Sequence, residues 1–286
     1  MRTTSELALS AAKRLKRGYW PILKWAARRD PGLQDYPMLC EHEILLRADF
    51  RESVYLPFLR DGCIPHQRPL DRLFAATLRP GDLVVDVGAN IGYTTLLAAR
   101  LVGPSGRVIA FEPAARMAVL LRRSTDQASN VEVRQCAIGA GEGRTTFYEA
   151  NFGDLSSVLP VEGAVHYDVP LSTLDSQLHG LPSPTLVKID VEGFEPEVIA
   201  GMGRVGQADT APLVIFEALT NSALDRCRDA FKAFLPTYTR IYRLGDSGPS
   251  SDLTDERLTH DFLAVPTARE LWFTGLLEGL SRPSLT

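Results

Sequence analysis

The chain has 286 residues, of which 45% are hydrophobic and 23% charged, values typical of a globular protein. This length suits one α/β domain with additions at its ends, and no apolar run reaches the roughly 18 residues of a membrane span. The net charge of −4 is uneven, because residues 1–29 carry eight Lys or Arg against one Glu, a net +7, so that the other residues sum to −11. An acidic body argues against a nucleic-acid partner.

The four cysteines are scattered along the chain and form no Cys-x-x-Cys pair. This pattern predicts free thiols in a reducing compartment rather than a disulfide framework or a zinc site. The N-terminus is basic but lacks the continuous apolar core of a secretory signal. We therefore expect a cytoplasmic protein, and the sequence leaves its oligomeric state open.

Residues 1–66 are predicted to form a helical N-terminal extension. Apolar residues follow approximate helical spacing over residues 7–26, interrupted by Gly18 and Pro21. Aromatic residues lie among the cations of residues 1–29, which would allow a weak contact with an anionic membrane surface. The alternative is a helix that packs on the main domain and leaves its Lys and Arg side chains in water. Residues 30–66 are predicted as further helix and loop.

Residues 67–266 show short apolar runs that alternate with amphipathic stretches. This is the pattern of a mostly parallel sheet with helices on both faces, so the prediction is an α/β, Rossmann-like domain. The predicted strands are residues 83–87, 107–112, 131–137, 185–189, 212–217 and 262–265. The predicted helices are residues 93–102, 115–126, 196–202 and 223–235.

Two segments depart from this alternation. The β-rich runs at residues 146–148 and 165–171 predict a hairpin inserted before the next parallel strand. Residues 267–286 are predicted as a C-terminal helix and tail, with Leu271, Trp272 and Leu276 on the apolar face of the helix.

The strongest local signal lies in residues 83–93, where an apolar strand leads through Asp86, Gly88, Asn90 and Gly92 into a helix. Such a turn points backbone N–H groups at a ligand above the strand end. A dinucleotide site favours G-x-G-x-x-G, whereas Asn90 replaces the middle glycine here. A carboxylate at Asp86 would repel pyrophosphate by roughly 1–4 kcal/mol per charge pair and would favour an ammonium or sulfonium. The loop therefore predicts S-adenosylmethionine as the cofactor.

Two further positions are predicted to bind this cofactor. Glu112 ends the second predicted strand, where an acid accepts the ribose hydroxyls, although NAD sites share this feature. Ala137 ends the third predicted strand, beside the expected adenine ring; ordinary strand packing is the alternative there.

Four motifs resemble the FkbM family of methyltransferases: DVGANIG at residues 86–92, VIAFEP at 108–113, VPLSTLD at 169–175 and LVKIDVEG at 186–193. The resemblance implies a class I methyltransferase fold, S-adenosylmethionine as methyl donor, and usually a hydroxyl acceptor on a carbohydrate, glycolipid or polyketide-type molecule. Because residues 151–157 resemble a family segment beside the cofactor, it also implies Ser157 as a cofactor contact.

Asp190 and Glu192 are the predicted catalytic bases for an acceptor hydroxyl. Both follow the predicted strand ending at residue 189, and residues two apart in an extended segment share a face. They should project at the carboxyl end of the sheet, where open α/β folds bind ligands, and paired carboxylates raise one another's proton affinity. One of them could instead cap the helix near Glu195, or both could join a third oxygen ligand around a divalent metal. Two acids are too few to predict a metal, so none is assigned.

Other titratable residues are weaker candidates. Glu217 ends the next predicted strand and either lines the cleft or is a loop acid. His66 and His166 are isolated histidines, for which structural or solvated roles are expected.

Two alternative functions stay open, an NAD-dependent oxidoreductase on a related fold and a non-catalytic methyltransferase-fold binding protein. Asn90 and Asp86 argue against the first. The intact loop and strand-end acids argue against the second.

Overall fold

The structure is a computed structural model that describes residues 20–150, 156–207, 209–234, 236–245, 248–253 and 260–280. The expectations for residues 1–19 and 281–286, and for the side chain of Leu276, lie outside the described residues.

The described residues form twelve strands and nine α-helices. The strands are β1 (Tyr36–Leu39), β2 (Leu45–Ala48), β3 (Leu83–Val87), β4 (Arg107–Phe111), β5 (Val131–Arg134), β6 (Ala137–Ile138), β7 (Gly143–Glu149), β8 (Val165–Ser172), β9 (Leu186–Ile189), β10 (Leu213–Glu217), β11 (Tyr238–Arg243) and β12 (Asp261–Pro266). The helices are α1 (Trp20–Ala27), α2 (Leu56–Asp61), α3 (Arg68–Thr77), α4 (Tyr93–Val102), α5 (Ala115–Thr125), α6 (Leu174–Gln177), α7 (Glu195–Ala200), α8 (Asn221–Phe231) and α9 (Glu270–Leu280).

The central sheet has seven strands in the order β11-β12-β10-β9-β3-β4-β5. Its pairs from β10 to β5 are parallel, whereas β12 runs antiparallel to both β10 and β11. Every residue of β3 is buried, as expected for a strand covered on both faces. The parallel arrangement brings the carboxyl ends of β3, β4, β9 and β10 to one edge, where the predicted site residues lie.

Both faces of this sheet carry a hydrophobic core. Successive strand residues point to opposite faces, so Val84 packs in one cluster with Leu97 of α4, and Val85 packs in the other with Val198 of α7. Burying a side chain of this size contributes roughly 1.5–3 kcal/mol. The mostly parallel sheet with helices on both faces is therefore confirmed.

The prediction of residues 131–137 as one strand was wrong. The main-sheet strand ends at Arg134, and Ala137 begins β6, which pairs in parallel with β8 in a separate three-stranded sheet. The backbone turns between them, where the Cys136 N–H donates to the Arg134 carbonyl at 3.2 Å. The predicted hairpin is confirmed as the antiparallel pair β7–β8, and it belongs to this second sheet.

The N-terminal segment packs against the domain. Leu23, Ala26 and Ala27 of α1 are buried, which is the arrangement of the alternative interpretation, while Ile22 and Trp25 stay about half exposed. Strands β1 and β2 form an antiparallel hairpin that the prediction of helix and loop did not include. These four-residue strands were missed because packing of Met38 and Leu46 on the core, rather than a strong local pattern, stabilises them.

The last helix, α9, uses a different face from the predicted one. Leu271 is 92% exposed and Trp272 is also exposed, whereas Phe273 is buried against Tyr242 at a ring distance of 5.3 Å. The prediction of Leu271 and Trp272 as the packing face was wrong. Of the helices described, none combines the length and the apolar character needed to cross a bilayer.

Candidate active site

A cavity of about 490 Å³ lies at the carboxyl ends of β3, β4, β9 and β10. Its volume lies in the range of small-molecule sites, roughly 300–1,000 Å³. The predicted site residues that line it are Gly88, Asn90, Glu112, Ala137, Asp190 and Glu192. Asp86, Gly92 and Ser157 are not part of its wall.

The turn after β3 needs glycine at two positions. Gly88 has a φ of +82°, and a Cβ there would lie 1.8 Å from the Asp190 carbonyl oxygen, so the β3 and β9 loops touch only because it has no side chain. Gly92 has a φ of +94° at the start of α4, and a Cβ there would lie 2.6 Å from Leu121 on α5. The absence of a side chain at Gly92 thus allows close helix packing, and its contact with the cofactor stays a prediction.

Asn90 and Glu112 form one polar wall of the cavity. The Asn90 N–H donates to Glu112 Oε2, and the Ala114 N–H donates to Glu112 Oε1, both at 2.8 Å. The Asn90 Oδ1 atom is buried without a hydrogen-bond partner among the described residues. Burial raises the pKa of Glu112 to about 7, although its two backbone hydrogen bonds oppose this rise.

These two residues fit the sugar of a nucleoside. A carboxylate has about four lone-pair sites, so the two backbone bonds leave Glu112 able to accept ribose hydroxyls. Asn90, which also lines the cavity, adds an acceptor oxygen that has no hydrogen-bond partner among the described residues.

Asp86 lies beneath the cavity rather than in it. Its Oδ2 accepts from the Thr95 hydroxyl at 2.6 Å, and its Oδ1 lies 3.5 Å from Lys188 Nζ. Asp86 therefore does not line the cavity, and a buried ammonium stands beside its carboxylate; its direct contact with the cofactor stays a prediction. This pairing also weakens the argument that Asp86 repels a pyrophosphate.

Lys188 is a site residue that sequence reasoning missed. Its ammonium lies 3.1 Å from Asp190 Oδ2, and the residue is buried in the cavity wall. Burial alone would lower the pKa of Lys188, but Asp190 and Asp86 together raise it above its usual value. The available signal was a lysine inside the otherwise apolar run LVKI, two residues before an acid and so on the same face.

Asp190, Glu192 and Glu217 meet at the edge of the cavity. Each offers one carboxylate oxygen, and these three atoms lie within 4.8 Å of one another. Burial, followed by the charges of Asp190 and Glu192, raises the pKa of Glu217 to about 9. The structure thus brings together the two predicted bases and the third acid, whose position the sequence left open. Three carboxylate oxygens also form a donor set suited to Mg²⁺ or Ca²⁺.

Ser157 and Glu195 contact the turn that carries these acids. The Ser157 hydroxyl donates to the Glu192 carbonyl at 2.9 Å and is buried, so it faces the turn rather than the cavity, and its cofactor contact stays a prediction. Its neighbours Ser156 and Val158 line the cavity instead. Neither Asp190 nor Glu192 caps α7, because the N-cap residue is Phe194 and no side chain makes a capping hydrogen bond there.

An apolar wall comes from residues 53–67, before α3. It includes Leu56, Phe58 and Ile64, and Phe58 packs on Tyr93 at a ring distance of 4.9 Å. His66 lies in this wall, whereas the ring of His166 lies 5.7 Å from that of Tyr148 on the hairpin.

Comparison with solved structures finds methyltransferase folds at low similarity. An O-methyltransferase from Bacillus cereus in complex with SAH is 14% identical with a TM-score of 0.42, covering 92% of this chain and 98% of that one. Aeropyrum pernix fibrillarin with bound S-adenosyl-L-methionine is 16% identical with a TM-score of 0.41, covering 68% of this chain and 74% of that one. These scores are too low to argue from, so the fold assignment depends on the sheet described above.

Sequence relatives are closer. Methyltransferase sdnD of Sordaria araneosa is 31% identical over 163 residues, which cover 44% of this chain and 62% of that protein. The 31-O-demethyl-FK506 methyltransferase FkbM of Streptomyces tacrolimicus is 47% identical over 159 residues, covering 44% of this chain and 61% of that protein. The chain thus spans about six tenths of the length of these relatives.

The family comparison covers the site residues from Asp86 to Glu217, but not the apolar wall of residues 53–67. Residues 86–235, more than half of the chain, match the methyltransferase FkbM domain. The chain therefore belongs to the FkbM family of methyltransferases, whose cofactor is S-adenosylmethionine.

Proposed function

We propose that the protein transfers a methyl group from S-adenosylmethionine to a hydroxyl oxygen of a carbohydrate, glycolipid or secondary metabolite. The observation that carries this proposal is the meeting of Asp190, Glu192 and Glu217 beside the loop that begins at Gly88. The wall of the cavity offers nucleoside contacts at Asn90 and Glu112 and proton acceptors at Asp190 and Glu192.

The cofactor contacts follow from the cavity wall. Glu112 would accept the ribose hydroxyls, Ala137 would lie beside the adenine, and Asn90 would accept a further hydrogen bond. S-adenosylmethionine, when bound, supplies a methyl group activated by its sulfonium. Holding two reactants in line contributes roughly 7–11 kcal/mol to such a displacement, so most of the chain's contribution is positional.

Asp190 and Glu192 are proposed to take the proton of the acceptor hydroxyl. Lys188 keeps its own proton and orients Asp190, while Glu217 holds a proton at neutral pH because its pKa is about 9. The two remaining carboxylates are then the groups able to accept one. A positioned base contributes roughly 10²–10⁴-fold.

The acceptor class is supported by the relatives and by the apolar wall. One relative is named for an FK506 derivative as its substrate. Leu56, Phe58 and Ile64 would contact the carbon skeleton of a similarly apolar acceptor.

Turnover of methyl-labelled S-adenosylmethionine against glycan and polyketide alcohols tests the proposal. We expect labelled ether products, and a 10²–10⁴-fold lower kcat for Asp190→Asn or Glu192→Gln with unchanged affinity for S-adenosylhomocysteine. Calorimetry with NAD addresses the oxidoreductase alternative, since tight binding of NAD alone would overturn the proposal. Donor binding without turnover of any acceptor would favour the non-catalytic alternative.

A divalent cation on the same three oxygens is a second candidate for the role of these acids. It is favoured by the separation within 4.8 Å and by the third acid, Glu217. If turnover is lost on dialysis against EDTA and recovers on addition of Mg²⁺, the three acids bind a metal ion rather than accept the proton directly.

Separately, we propose a weak membrane-surface contact through residues 1–29. In the described part of this segment, Ile22 and Trp25 are exposed beside Lys24, Arg28 and Arg29. Aromatic and cationic side chains together suit an interface with anionic lipid headgroups.

A further inference from the structure

Glu192 has a backbone conformation that side chains other than glycine rarely adopt. Its φ is +55°, and it is one of four non-glycine residues with a positive φ in the part of the chain that the structure describes. Such a conformation persists only where surrounding contacts hold it, and these positions cluster at functional sites. The next residue, Gly193, also has a positive φ, which costs glycine little because it has no side chain.

The peptide bond between Glu192 and Gly193 is held at both ends. Its carbonyl accepts from the Ser157 hydroxyl at 2.9 Å, and its N–H donates to Glu195 Oε1 at 3.1 Å. The same Glu195 oxygen accepts from the Val191 N–H at 3.0 Å. The backbone on both sides of Glu192 is therefore oriented by two side chains from outside the turn.

Both of these residues are themselves buried. Ser157 is 3% exposed and Glu195 is 1% exposed. The Ser157 backbone exchanges two hydrogen bonds with Tyr148, so the β7–β8 hairpin carries its hydroxyl to the turn. Neither residue lines the cavity, so each acts on a ligand only through the turn.

We propose that Ser157 and Glu195 are positioning residues that hold the Glu192 carboxylate against Asp190 and Glu217. The proposal rests on the proposed function, because it places Glu192 next to the transferred methyl group. Loss of either side chain should displace this carboxylate and leave the nucleoside contacts intact.

Two donor analogues measure this displacement without an acceptor. Sinefungin carries an ammonium in place of the methyl-sulfonium of S-adenosylmethionine, whereas S-adenosylhomocysteine is uncharged at that position. Carboxylates near the methyl position therefore raise the affinity for sinefungin relative to S-adenosylhomocysteine. Titration calorimetry gives this ratio for each variant, and thermal unfolding shows whether the variant is folded.

We expect Ser157→Ala to lower the ratio about fivefold, since Coulomb attraction weakens as the charges separate, with affinity for S-adenosylhomocysteine unchanged. Ser157→Thr, which keeps the hydroxyl, should restore the ratio. Glu195→Gln keeps an oxygen that can accept both N–H groups, so this variant should keep the ratio of the unmodified protein. Glu195→Met has no such oxygen and should lower the ratio. Thr146→Ala, on the same hairpin and away from the turn, is the matched control.

A double-mutant comparison separates this proposal from the proposed function. With Glu192→Gln already present, Ser157→Ala should no longer change the ratio. An equal change with and without Glu192→Gln would overturn the positioning role and leave the function standing. If Glu192→Gln itself leaves the ratio unchanged, Glu192 does not face the methyl group, and its place in the proposed function is lost.

Discussion

Gly88 is the residue at which the cofactor loop and the loop bearing Asp190 come into contact. Gly88→Ala should lower the affinity for S-adenosylhomocysteine by at least about tenfold and should destabilise the fold, because the new Cβ would lie 1.8 Å from the Asp190 carbonyl. Calorimetry and thermal unfolding measure the two effects. Gly141→Ala is the matched control, because a Cβ there has no neighbour within 4 Å. Unchanged binding in the Gly88 variant would contradict the contact.

Glu217 should make stability depend on pH in a direction opposite to that of an ordinary carboxylate. Its pKa is about 9 in the folded protein, against an ordinary value of 4.5, so its favourable contribution is complete at acidic pH and is lost as pH rises through 9. Glu217→Gln mimics the protonated form and should escape this loss. The Tm of Glu217→Gln minus that of the unmodified protein should therefore increase between pH 5 and 9. A difference independent of pH would show that Glu217 titrates normally.

Helix α1 is an element whose two faces have different roles. Leu23 is fully buried in the same hydrophobic core as Leu97 of α4, whereas Ile22 is about half exposed. Leu23→Ala should cost about 2–5 kcal/mol of unfolding free energy, the usual range for a buried leucine, and Ile22→Ala about 0.5 kcal/mol or less. Chemical denaturation measures both. Equal effects would show that α1 is not docked as described.

The hairpin β7–β8 is the element that links the cavity wall to the acidic turn. Arg116 on α5 contacts Glu149 of this hairpin and Glu52 of the N-terminal segment, at 3.4 and 3.1 Å. One cation therefore joins the two segments that flank the cavity. Because Arg116 is partly exposed, the contribution of these pairs to stability is small.

Across the whole molecule the charge is uneven: residues 1–29, the basic head, carry a net charge of +7, and the other residues carry −11. If the head contacts a membrane surface, the full chain should sediment with phosphatidylserine vesicles more than a chain lacking residues 1–19, which retains α1 and the core. The five Lys or Arg in that segment contribute about 1 kcal/mol each near an anionic surface, and added salt should reduce the binding. Neutral vesicles are the control. Equal sedimentation of the two chains would exclude residues 1–19 as the contact.

Most of the central sheet could be predicted because its strands are short apolar runs bounded by turns. Strand β3 and helix α4 were predicted with their observed bounds, since a buried strand, a glycine turn and a helix start are all local signals. Strand β11 and helix α3 were missed, and β5 was joined to β6. For β11 and β6 the pairing partner, β12 or β8, decides the element, and that partner lies outside the local sequence.

The candidate site was predicted less completely than the sheet. The acids after β4 and β9 could be named because strand-end residues of a parallel sheet face one edge. The direction of each side chain could not be read in the same way: Asp86 faces Lys188, and the Ser157 hydroxyl faces a backbone carbonyl. The division at residues 66 and 67 into extension and domain stays a prediction.

The sequence by itself determined the fold class, the family and the strand ends at which chemistry is expected, because each depends on residues close together in the chain. Only the tertiary structure decided that Glu217 joins Asp190 and Glu192 and that a lysine lies beside Asp86. The distance in space between these residues cannot be deduced from their separation along the chain. Parallel pairing of β3, β9 and β10 brings them together, and burial at that junction raises the pKa of Glu217.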